Sequence, residues 1–305
     1  MRIISLVPSA TEIICALGQE DKLIGRSHEC DYPKTVKKLP SCTNLKLDIS
    51  GSSSDIDKSI SSYLNDSNSI YRINKELIKQ LRPDIIFTQS QCDVCAVSSE
   101  EVEALFSEGN ETNPVIIPLH PKNLGDIWKD ILLISESMNI SKKGKALQRK
   151  INEDIRLLQS SVKNKKDVPS IACIEWIDPL MFAGNWVPEM VEIAGGKDLF
   201  GIPGAHSSWD KFDNLLIKDP EIIILMPCGF SIEKTQKEMD ALKETTTWTK
   251  LQAFKNKNIF IVDGNQYFNR PGPRILDSIK ILIEIISDQN FFFGYKEKAW
   301  EKLNF

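Results

Sequence analysis

The hydrophobic and polar positions of this chain alternate between two kinds of segment. Short apolar runs rich in isoleucine and valine, such as Ile3 to Val7 and Ile85 to Phe87, are typical of buried strands. Most of them are followed by a longer stretch with apolar residues at helical spacing that ends near Gly or Pro. Strands that alternate with helices form parallel sheets with helices packed on their faces. The pattern therefore predicts an α/β fold.

The predicted elements fall into two series. In the first series, strands are predicted at residues 3–7, 22–25, 84–88 and 115–119, and helices at 9–17, 74–81 and 100–106. The first helix is expected to begin at Ser9 or Thr11, because Ser9 and Glu12 have the spacing of a capping box. Residues 48–69 are rich in Ser, Asp and Asn and predict a loop with a short polar helix. In the second series, strands are predicted at 170–174, 221–226 and 258–262, and helices at 188–194, 234–242 and 273–286.

Residues 122–165, between the two series, contain no predicted strand. Helical spacing runs from Leu124 to Ser137 and again from Lys142 to Val162. A helix is a stiff connector. We therefore predict two Rossmann-like lobes with mostly parallel sheets, bridged by a long rigid helix. The expected parts are an N-terminal lobe at 1–121, a helical connection at 122–165 and a C-terminal lobe at 166–305.

Composition excludes two classes of partner. The chain has 305 residues, a formal net charge of −4 and no basic stripe, so nucleic acid is not expected as a partner. No apolar run is long enough to span a bilayer. The segment from Arg2 to Pro8 reads as a strand and not as a signal peptide, which predicts a cytoplasmic protein. If the native N-terminus has been truncated, a periplasmic or cell-surface location is expected instead. The seven cysteines form no secreted disulfide framework.

Three loops that follow predicted strands are rich in residues able to bind a ligand. They lie at residues 27–33, 89–95 and 267–274, and they carry His, Cys, carboxylate, aromatic and Arg side chains. In an open α/β sheet, the loops after the strands open onto the ligand crevice. These three loops therefore predict one composite site.

The first two loops allow more than one interpretation. The succession His28, Glu29, Cys30 and Asp31 is either a ligand or metal contact or a polar turn before Pro33. The motif from Cys92 to Cys95 is a redox pair, half of a metal site or two small buried cysteines. A structural zinc needs a second ligand pair. His28 and Cys30 supply that pair only if folding brings the two loops together.

The second half of the chain offers aromatic and cationic candidates. Glu175 and Trp176, with Phe182 and Trp186, follow a strand and predict either a stacking wall for a flat ligand or packing between the lobes. Further candidates lie in rigid or Gly-rich loops: His206, Trp209, Asn269 and Arg270. The planar guanidinium group of Arg270 can donate two hydrogen bonds to an anion or an amide oxygen. Arg274 is expected in the first turn of the next helix, held by a carboxylate. His120 is interpreted as a capping or packing residue.

Several segments together resemble a known family. They are residues 3–12, the loop at 27–33, the segment from Arg82 to Ile86, and the pair Gly195-Gly196. They look like the ABC-transporter substrate-binding proteins for cobalamin and ferric siderophores, and they are most similar to the cobalamin-binding branch. The resemblance runs over nearly the whole chain. It implies the class III periplasmic-binding-protein fold, with one long bridging helix and a corrinoid bound in the cleft between the lobes.

The resemblance and the loops together define the expected ligand residues. Glu29 and Gln89 stand where the secreted cobalamin binders carry aromatics, whereas Trp176, Tyr267 and Phe268 keep an aromatic character. The expected ligand-binding residues are Pro8, Ser9, Ala10, Thr11, His28, Glu29, Cys30, Gln89, Gln91, Cys92, Glu175, Trp176, Trp186, His206, Tyr267, Phe268, Asn269 and Arg270.

Two hypotheses of function follow. The first is a binding protein for cobalamin, another corrinoid or a related metal chelate, with an ABC transporter permease as a possible partner. The second is a metal-dependent or thiol enzyme that uses His28, Cys30, Cys92 and Cys95. The sequence has no G-x-G-x-x-G, Walker A, H-E-x-x-H or G-x-S-x-G motif. We therefore favour the binding protein, without catalytic residues and without zinc.

Overall fold

The computed structural model describes residues 1–66, 69–90, 97–106, 113–162, 167–242, 247–287 and 291–304. The chain divides into two compact units. Unit 1 comprises residues 1–50, 58–121 and 125–150, and unit 2 comprises residues 51–57, 122–124 and 151–305. Each unit contains a sheet of its own.

The sheet of unit 1 is parallel throughout. The strands of this unit are β1 (Ile3–Ser5), β2 (Leu23–Arg26), β3 (Thr43–Leu45), β4 (Tyr71–Ile73), β5 (Ile85–Gln89) and β6 (Val115–Leu119). Four of them form a sheet in the order β2-β1-β5-β6, with Ile4 beside Ile86. Strands β3 and β4 form a separate antiparallel pair. Both faces of the sheet are covered, so β1 and β5 are buried along their whole length.

The helices of the first half of the chain are α1 (Pro8–Ala16), α2 (Ser53–Asp66), α3 (Lys75–Leu81), α4 (Ser99–Glu103), α5 (Leu124–Ser137) and α6 (Ser141–Val162). Helices α3 and α4 pack on the sheet through Ile78 and Val102, which are both 0% exposed. Helix α6 has the extent predicted for the connecting helix and carries the chain from unit 1 into unit 2 after Lys150.

The predicted cap of the first helix was wrong. Helix α1 begins at Pro8, and Val7 precedes it without any side-chain cap. Proline is favoured in the first turn because its missing N–H would have no partner there. Ser9 and Thr11 are consequently inside the helix and buried. A capping box does occur in unit 1, at α4, between Ser98 and Glu101.

The sheet of unit 2 combines parallel and antiparallel strands. Its strands are β7 (Ser170–Trp176), β8 (Met181–Phe182), β9 (Lys197–Asp198), β10 (Ser208–Trp209), β11 (Ile222–Leu225), β12 (Ile259–Val262) and β13 (Trp300–Lys302). The order is β10-β8-β7-β11-β12-β13, and β9 also pairs with β7. The central strands β7, β11 and β12 are parallel, whereas β8 and β13 join them antiparallel.

The helices of unit 2 are α7 (Val187–Ile193), α8 (Phe212–Lys218), α9 (Ile232–Leu242), α10 (Gln252–Lys255) and α11 (Ile275–Ile286). One core cluster contains Ile223 and Ile261 of the central strands together with Met239 of α9. The start of α2 also belongs to this unit, where the Ser53 backbone N–H donates to Glu238 Oε2 at 3.0 Å.

The predicted fold class is confirmed: two α/β units with largely parallel central strands, joined by a long helix. The sequence analysis missed β3, β4, β8, β9, β10 and β13. Each has only two or three residues, which is too short for a detectable alternation. Among the described residues, none of the helices has the length and apolar content that crossing a bilayer requires.

Candidate functional site

The candidate residues of unit 1 lie at the carboxyl ends of its parallel strands. Because β1, β2, β5 and β6 run in the same direction, their last residues meet at one edge of the sheet. The predicted loops at 27–33 and 89–95 follow β2 and β5, and Pro8 begins α1 just after β1. This edge is where open α/β sheets bind ligands.

Behind the edge, Thr11 and Cys30 connect α1 to the loop after β2. Thr11 Oγ1 lies 2.8 Å from Ser5 Oγ and 3.0 Å from Cys30 Sγ. The side chains of Thr11 and Cys30 are 0% and 1% exposed. Pro8, Ser9 and Ala10 are buried as well. The Thr11–Cys30 contact holds the loop against the helix. A ligand would reach these five buried residues only through their backbone or after a local shift.

The His28 ring is held in one orientation, and one of its two ring nitrogens makes no hydrogen bond. Its Nδ1 lies 2.8 Å from Thr43 Oγ1, and its backbone N–H donates to the same oxygen at 3.1 Å. The ring packs against Tyr71 with 5.7 Å between the centroids. Nε2 is buried without a hydrogen-bond partner, and Glu29 Oε1 lies 3.9 Å from it. Burial, and secondarily the charge of Arg26, lowers the pKa of His28, so the imidazole is neutral at pH 7.

The end of β5 contributes Gln89, which is 8% exposed. The next residue, Ser90, has its Oγ 3.3 Å from Nδ1 of His120, which follows β6 and is exposed. Three predicted residues of this loop, Gln91, Cys92 and Cys95, lie outside the described residues. Unit 1 thus presents hydrogen-bonding groups after three of its four parallel strands.

Unit 2 places an aromatic pair at the carboxyl ends of β7 and β11. The ring of Trp176 meets Phe230 edge-on, with 5.3 Å between the centroids. Lys234 Nζ lies over the Phe230 ring, 3.9 Å from its centroid. The indole nitrogen Nε1 of Trp176 is buried without a hydrogen-bond partner. Beside it, Glu175 Oε2 accepts a hydrogen bond from Ser207 Oγ at 2.7 Å.

Two predicted aromatics of unit 2 are packing residues. Trp186 is 6% exposed, and its Nε1 donates to the backbone oxygen of Phe268 at 2.7 Å. Phe268 is 1% exposed and has a positive φ of 65°. Stacking of either ring on a ligand is not supported, because both rings are enclosed by protein. The Trp186 bond instead fixes the strained backbone of the loop at 267–274.

The remaining residues of that loop form a polar cluster. Asn269 Nδ2 donates to the backbone oxygens of Met226 and Gly264, at 3.2 and 2.9 Å. Arg270, 7% exposed, donates to Asn265 Oδ1 at 3.3 Å. Arg274 is the N-cap residue of α11 and not part of its first turn. Its guanidinium donates to Gln266 Oε1 at 3.2 Å and lies over the ring of Tyr267, 5.3 Å from the centroid.

Asp263 supplies the carboxyl group near both arginines. Its Oδ1 accepts the backbone N–H groups of Asn265 and Gln266, at 3.0 and 2.8 Å. Burial raises the pKa of Asp263, against the opposing effect of these two hydrogen bonds and of Arg270 and Arg274. His206 lies in a different loop, where it is exposed and its Nδ1 is 3.0 Å from the Ser207 backbone oxygen.

The sequence analysis missed four side chains that shape these loops: Thr43, Ser207, Phe230 and Lys234. A usable signal existed for Phe230, since Pro227 to Phe230 directly follows the strand at 222–225. Thr43 gave no signal, because its role depends on an antiparallel pair that the sequence does not reveal.

The metal and thiol alternative gains no support from the described residues. Among them, no group of three or more His, Cys, Asp or Glu side chains is placed to hold a metal ion. Cys30 Sγ and the His28 ring contact different partners, Thr11 and Thr43. Burial raises the pKa of Cys15 to about 12 and that of Cys42 to about 11, so both are unreactive thiols.

Each unit thus places candidate ligand-binding side chains at the carboxyl ends of its parallel strands. Comparison with known proteins gives its family. The model of the Periplasmic binding protein family matches residues 3–265, and the chain belongs to this family.

Two curated relatives are similar over nearly the full length. A vitamin B12-binding protein of Vibrio vulnificus is 25% identical over 288 residues, which cover 93% of this chain and 89% of the relative. An uncharacterized ABC transporter substrate-binding lipoprotein of Bacillus subtilis is 23% identical, covering 95% of this chain and 81% of the relative.

Solved structures share the fold. The periplasmic vitamin B12-binding protein of Vibrio cholerae superposes with a TM-score of 0.66 at 22% identity, covering 93% of this chain and 96% of the other. A periplasmic heme-binding protein of Pseudomonas aeruginosa gives 0.71 at 16% identity, covering 94% and 93%. The protein is thus a substrate-binding protein of ABC-transporter type and not an enzyme, as predicted.

Proposed function

We propose that this protein binds cobalamin or a closely related corrinoid as the cargo of an ABC transporter. The observation that carries the proposal is the Trp176–Phe230 pair with its unpaired indole N–H. A corrinoid is a flat macrocycle with amide side chains around its rim. An aromatic face suits the macrocycle, and an unpaired N–H suits an amide oxygen.

The polar groups of unit 1 support the same ligand class. His28 Nε2 lacks a hydrogen-bond partner, and Gln89 closes β5 with a side-chain amide. Each of these groups can bond a carboxamide of the corrin rim. The similarity to vitamin B12-binding proteins of Vibrio, which extends over more than 90% of this chain, supports the proposal independently.

Heme is the nearest competing ligand, since it is also a flat metal chelate and structural neighbours bind it. The test is therefore a comparison of ligands. The purified protein is titrated with cyanocobalamin, hemin and a ferric hydroxamate siderophore, and binding is followed by absorbance and by equilibrium dialysis. We expect saturation at one equivalent of cyanocobalamin and weaker binding of the other two. Saturation by hemin or the siderophore without binding of cyanocobalamin would refute the proposal.

A transporter permease is the partner that this class of protein implies. We propose that such a permease accepts the loaded protein, and a pull-down with the permease in nanodiscs, with and without cyanocobalamin, tests it. The cytoplasmic location inferred from the segment at Arg2 to Pro8 stays a prediction. Fractionation of cells that express the natural gene, with compartment markers as controls, decides it.

A further inference from the structure

Ser53 connects the two segments of unit 2 that carry the Trp176–Phe230 pair. It is 0% exposed and is the first residue of α2, in the part of that helix that belongs to unit 2. Its backbone N–H donates to Glu238 Oε2 at 3.0 Å, and its hydroxyl donates to Glu238 Oε1. The same hydroxyl oxygen accepts the backbone N–H of Asp178 at 2.9 Å. Ser53 therefore bonds Glu238 and Asp178 at once.

The two partners of Ser53 lie close in sequence to the two rings. Asp178 follows Trp176 by two residues, in the turn that joins β7 to β8. Glu238 lies in α9, the helix that begins two residues after Phe230. A change at Ser53 therefore acts on the turn after Trp176 and on the helix after Phe230 together.

The pairing of β7 with β8 is irregular where Trp176 lies. The register of the two strands shifts between Ile174 and Trp176, which lies opposite Met181. Such an irregularity disrupts the ladder of hydrogen bonds locally and re-aims the neighbouring side chains. The Trp176 side chain is also only partly buried. A hydrogen bond just beyond the end of the strand therefore contributes to the orientation of this ring.

We propose that Ser53, held by Glu238, is a positioning residue that keeps the Trp176 ring in the orientation that binds the ligand. This role rests on the corrinoid function proposed above, and it adds the residues that hold the aromatic contact in place. Removal of the Ser53 hydroxyl leaves the Asp178 N–H without its acceptor, so the turn loses the bond that fixes it. The apparent affinity then falls with the fraction of molecules that keep the binding conformation.

The same strand provides a matched control at its other end. Ser170 is the first residue of β7, whereas Trp176 is the last. The backbone N–H and the hydroxyl of Ser170 both donate to Glu221 Oε2, at 2.8 and 2.9 Å. Its hydroxyl oxygen accepts the Glu221 backbone N–H at 3.1 Å. Ser170→Ala therefore removes the same kinds of hydrogen bond as Ser53→Ala, but far from the Trp176 ring along the strand.

The first measurement is made without ligand. The protein is labelled with fluorinated tryptophan, and the fluorine resonance of Trp176 is assigned as the one that Trp176→Phe lacks. We expect Ser53→Ala to shift, broaden or split this resonance, because the turn after Trp176 is released. Ser170→Ala should leave it unchanged. An unchanged Trp176 resonance in folded Ser53→Ala protein would overturn the proposal, whatever ligand the protein binds.

The second measurement is the calorimetric affinity for cyanocobalamin. We expect Ser53→Ala to weaken binding about three- to tenfold, and Ser170→Ala to weaken it less than about twofold. In a protein that already carries Trp176→Ala, Ser53→Ala should weaken binding by less than about twofold more, because the ring it positions is absent. An equal loss with and without the ring would contradict the positioning role, and so would equal losses in Ser53→Ala and Ser170→Ala. Thermal unfolding of each variant confirms that it is folded.

Glu238→Gln is a milder variant that replaces Ser53→Ala if the latter does not fold. It exchanges one of two acceptor oxygens for a donor, so one of the two Ser53 donors loses its partner. We expect the same change in the Trp176 resonance at smaller amplitude, and no change in the folded variant would refute the role of Ser53. If wild-type protein does not bind cyanocobalamin, the proposed function fails, and the Trp176 resonance alone decides whether Ser53 positions the ring.

Discussion

Unit 1 and unit 2 end their parallel strands in loops of different chemical character. Unit 1 presents small and polar residues, with His28, Glu29 and Gln89 at the sheet edge. Unit 2 presents the ring of Trp176, which packs edge to face against the buried Phe230. The two units therefore differ in the chemistry they offer at their strand ends: unit 2 offers an aromatic side chain, and unit 1 offers hydrogen-bonding groups.

The two units also differ in how they accommodate a buried carboxyl group. Asp130 of unit 1 and Asp198 of unit 2 each have one oxygen, Oδ2, without a hydrogen-bond partner. Asp198 Oδ1 accepts the backbone N–H groups of Phe200 and Gly201, at 2.8 and 2.9 Å. For Asp130, burial and then the neighbouring Asp126 raise the pKa to about 7. Hydrogen bonds therefore offset the burial of the carboxyl group less at Asp130 in unit 1 than at Asp198 in unit 2.

The largest expected effect follows from Asp130. Its pKa rises from 3.8 unfolded to about 7 folded, so the carboxyl destabilises the fold increasingly as pH rises from 4 to 7. Since one pKa unit corresponds to about 1.4 kcal/mol, the cost reaches at most about 4 kcal/mol above pH 7. We expect Asp130→Asn to raise the free energy of unfolding at pH 8 and to leave it nearly unchanged at pH 4. Urea unfolding at both pH values measures this.

Asp198→Asn is the matched variant in unit 2. The pKa of Asp198 is also raised by burial, but the two backbone hydrogen bonds and Lys218 act against the rise. Its stabilisation at pH 8 should therefore be smaller than that of Asp130→Asn. An equal or larger gain would contradict the contrast between the two units.

The next effect concerns ligand affinity. Trp176→Ala removes the ring that we assign to the flat face of the ligand. We expect the affinity for cyanocobalamin to fall about 10- to 100-fold, which corresponds to about 1.4 to 2.8 kcal/mol of lost contact. Trp176→Phe should recover much of the stacking but not the indole N–H. Calorimetric titration of both variants gives the values.

Trp186 is the internal control, because the two tryptophans use their N–H groups differently. Trp186→Phe removes the bond to the Phe268 backbone oxygen and leaves that buried oxygen unpaired. We expect it to lower the free energy of unfolding by about 1 to 3 kcal/mol while changing affinity little. Trp176→Phe should instead lower the affinity and change the free energy of unfolding little. If both variants behaved alike, the distinction between packing ring and ligand ring would be wrong.

The fold could be predicted because its signals are local. Buried parallel strands such as β1 and β5 begin with apolar runs, and α6 has a long amphipathic stripe. The cap of α1 was mispredicted because Pro8 and Ser9 are both typical of a helix start, and the helix begins at Pro8. The short strand β13 pairs with β12 some forty residues earlier in the sequence, a partnership without local signature.

The site could be predicted only in outline. The predicted strand ends located the segments that carry His28 and Trp176, because the end of an apolar run can be read from the sequence. Whether a ring faces a ligand or the interior is a property of packing, so Trp176 and Trp186 looked equivalent in the sequence. The partner of His28, Thr43, lies fifteen positions away on a strand that was not predicted.

The smallest expected effect concerns the cysteines at 92 and 95. Cys92 and Cys95 lie outside the described residues, and among the described residues no group of His, Cys, Asp or Glu side chains is placed to hold a metal ion. We expect wild-type protein purified without added metal to hold no stoichiometric zinc, and Cys92→Ser with Cys95→Ser to change neither metal content nor stability appreciably. Elemental analysis and thermal unfolding check both points. One equivalent of zinc, lost in the double variant, would revive the metal alternative.

The central claim is that this protein binds a corrinoid, and one calorimetric titration tests it most directly. Wild-type protein is titrated with cyanocobalamin, and Trp176→Ala is titrated in parallel under the same conditions. The account predicts a stoichiometry of about one with measurable heat in the wild type, and an affinity at least about tenfold lower in the variant. No saturable binding by folded wild-type protein would contradict it, and so would equal affinities for the two proteins.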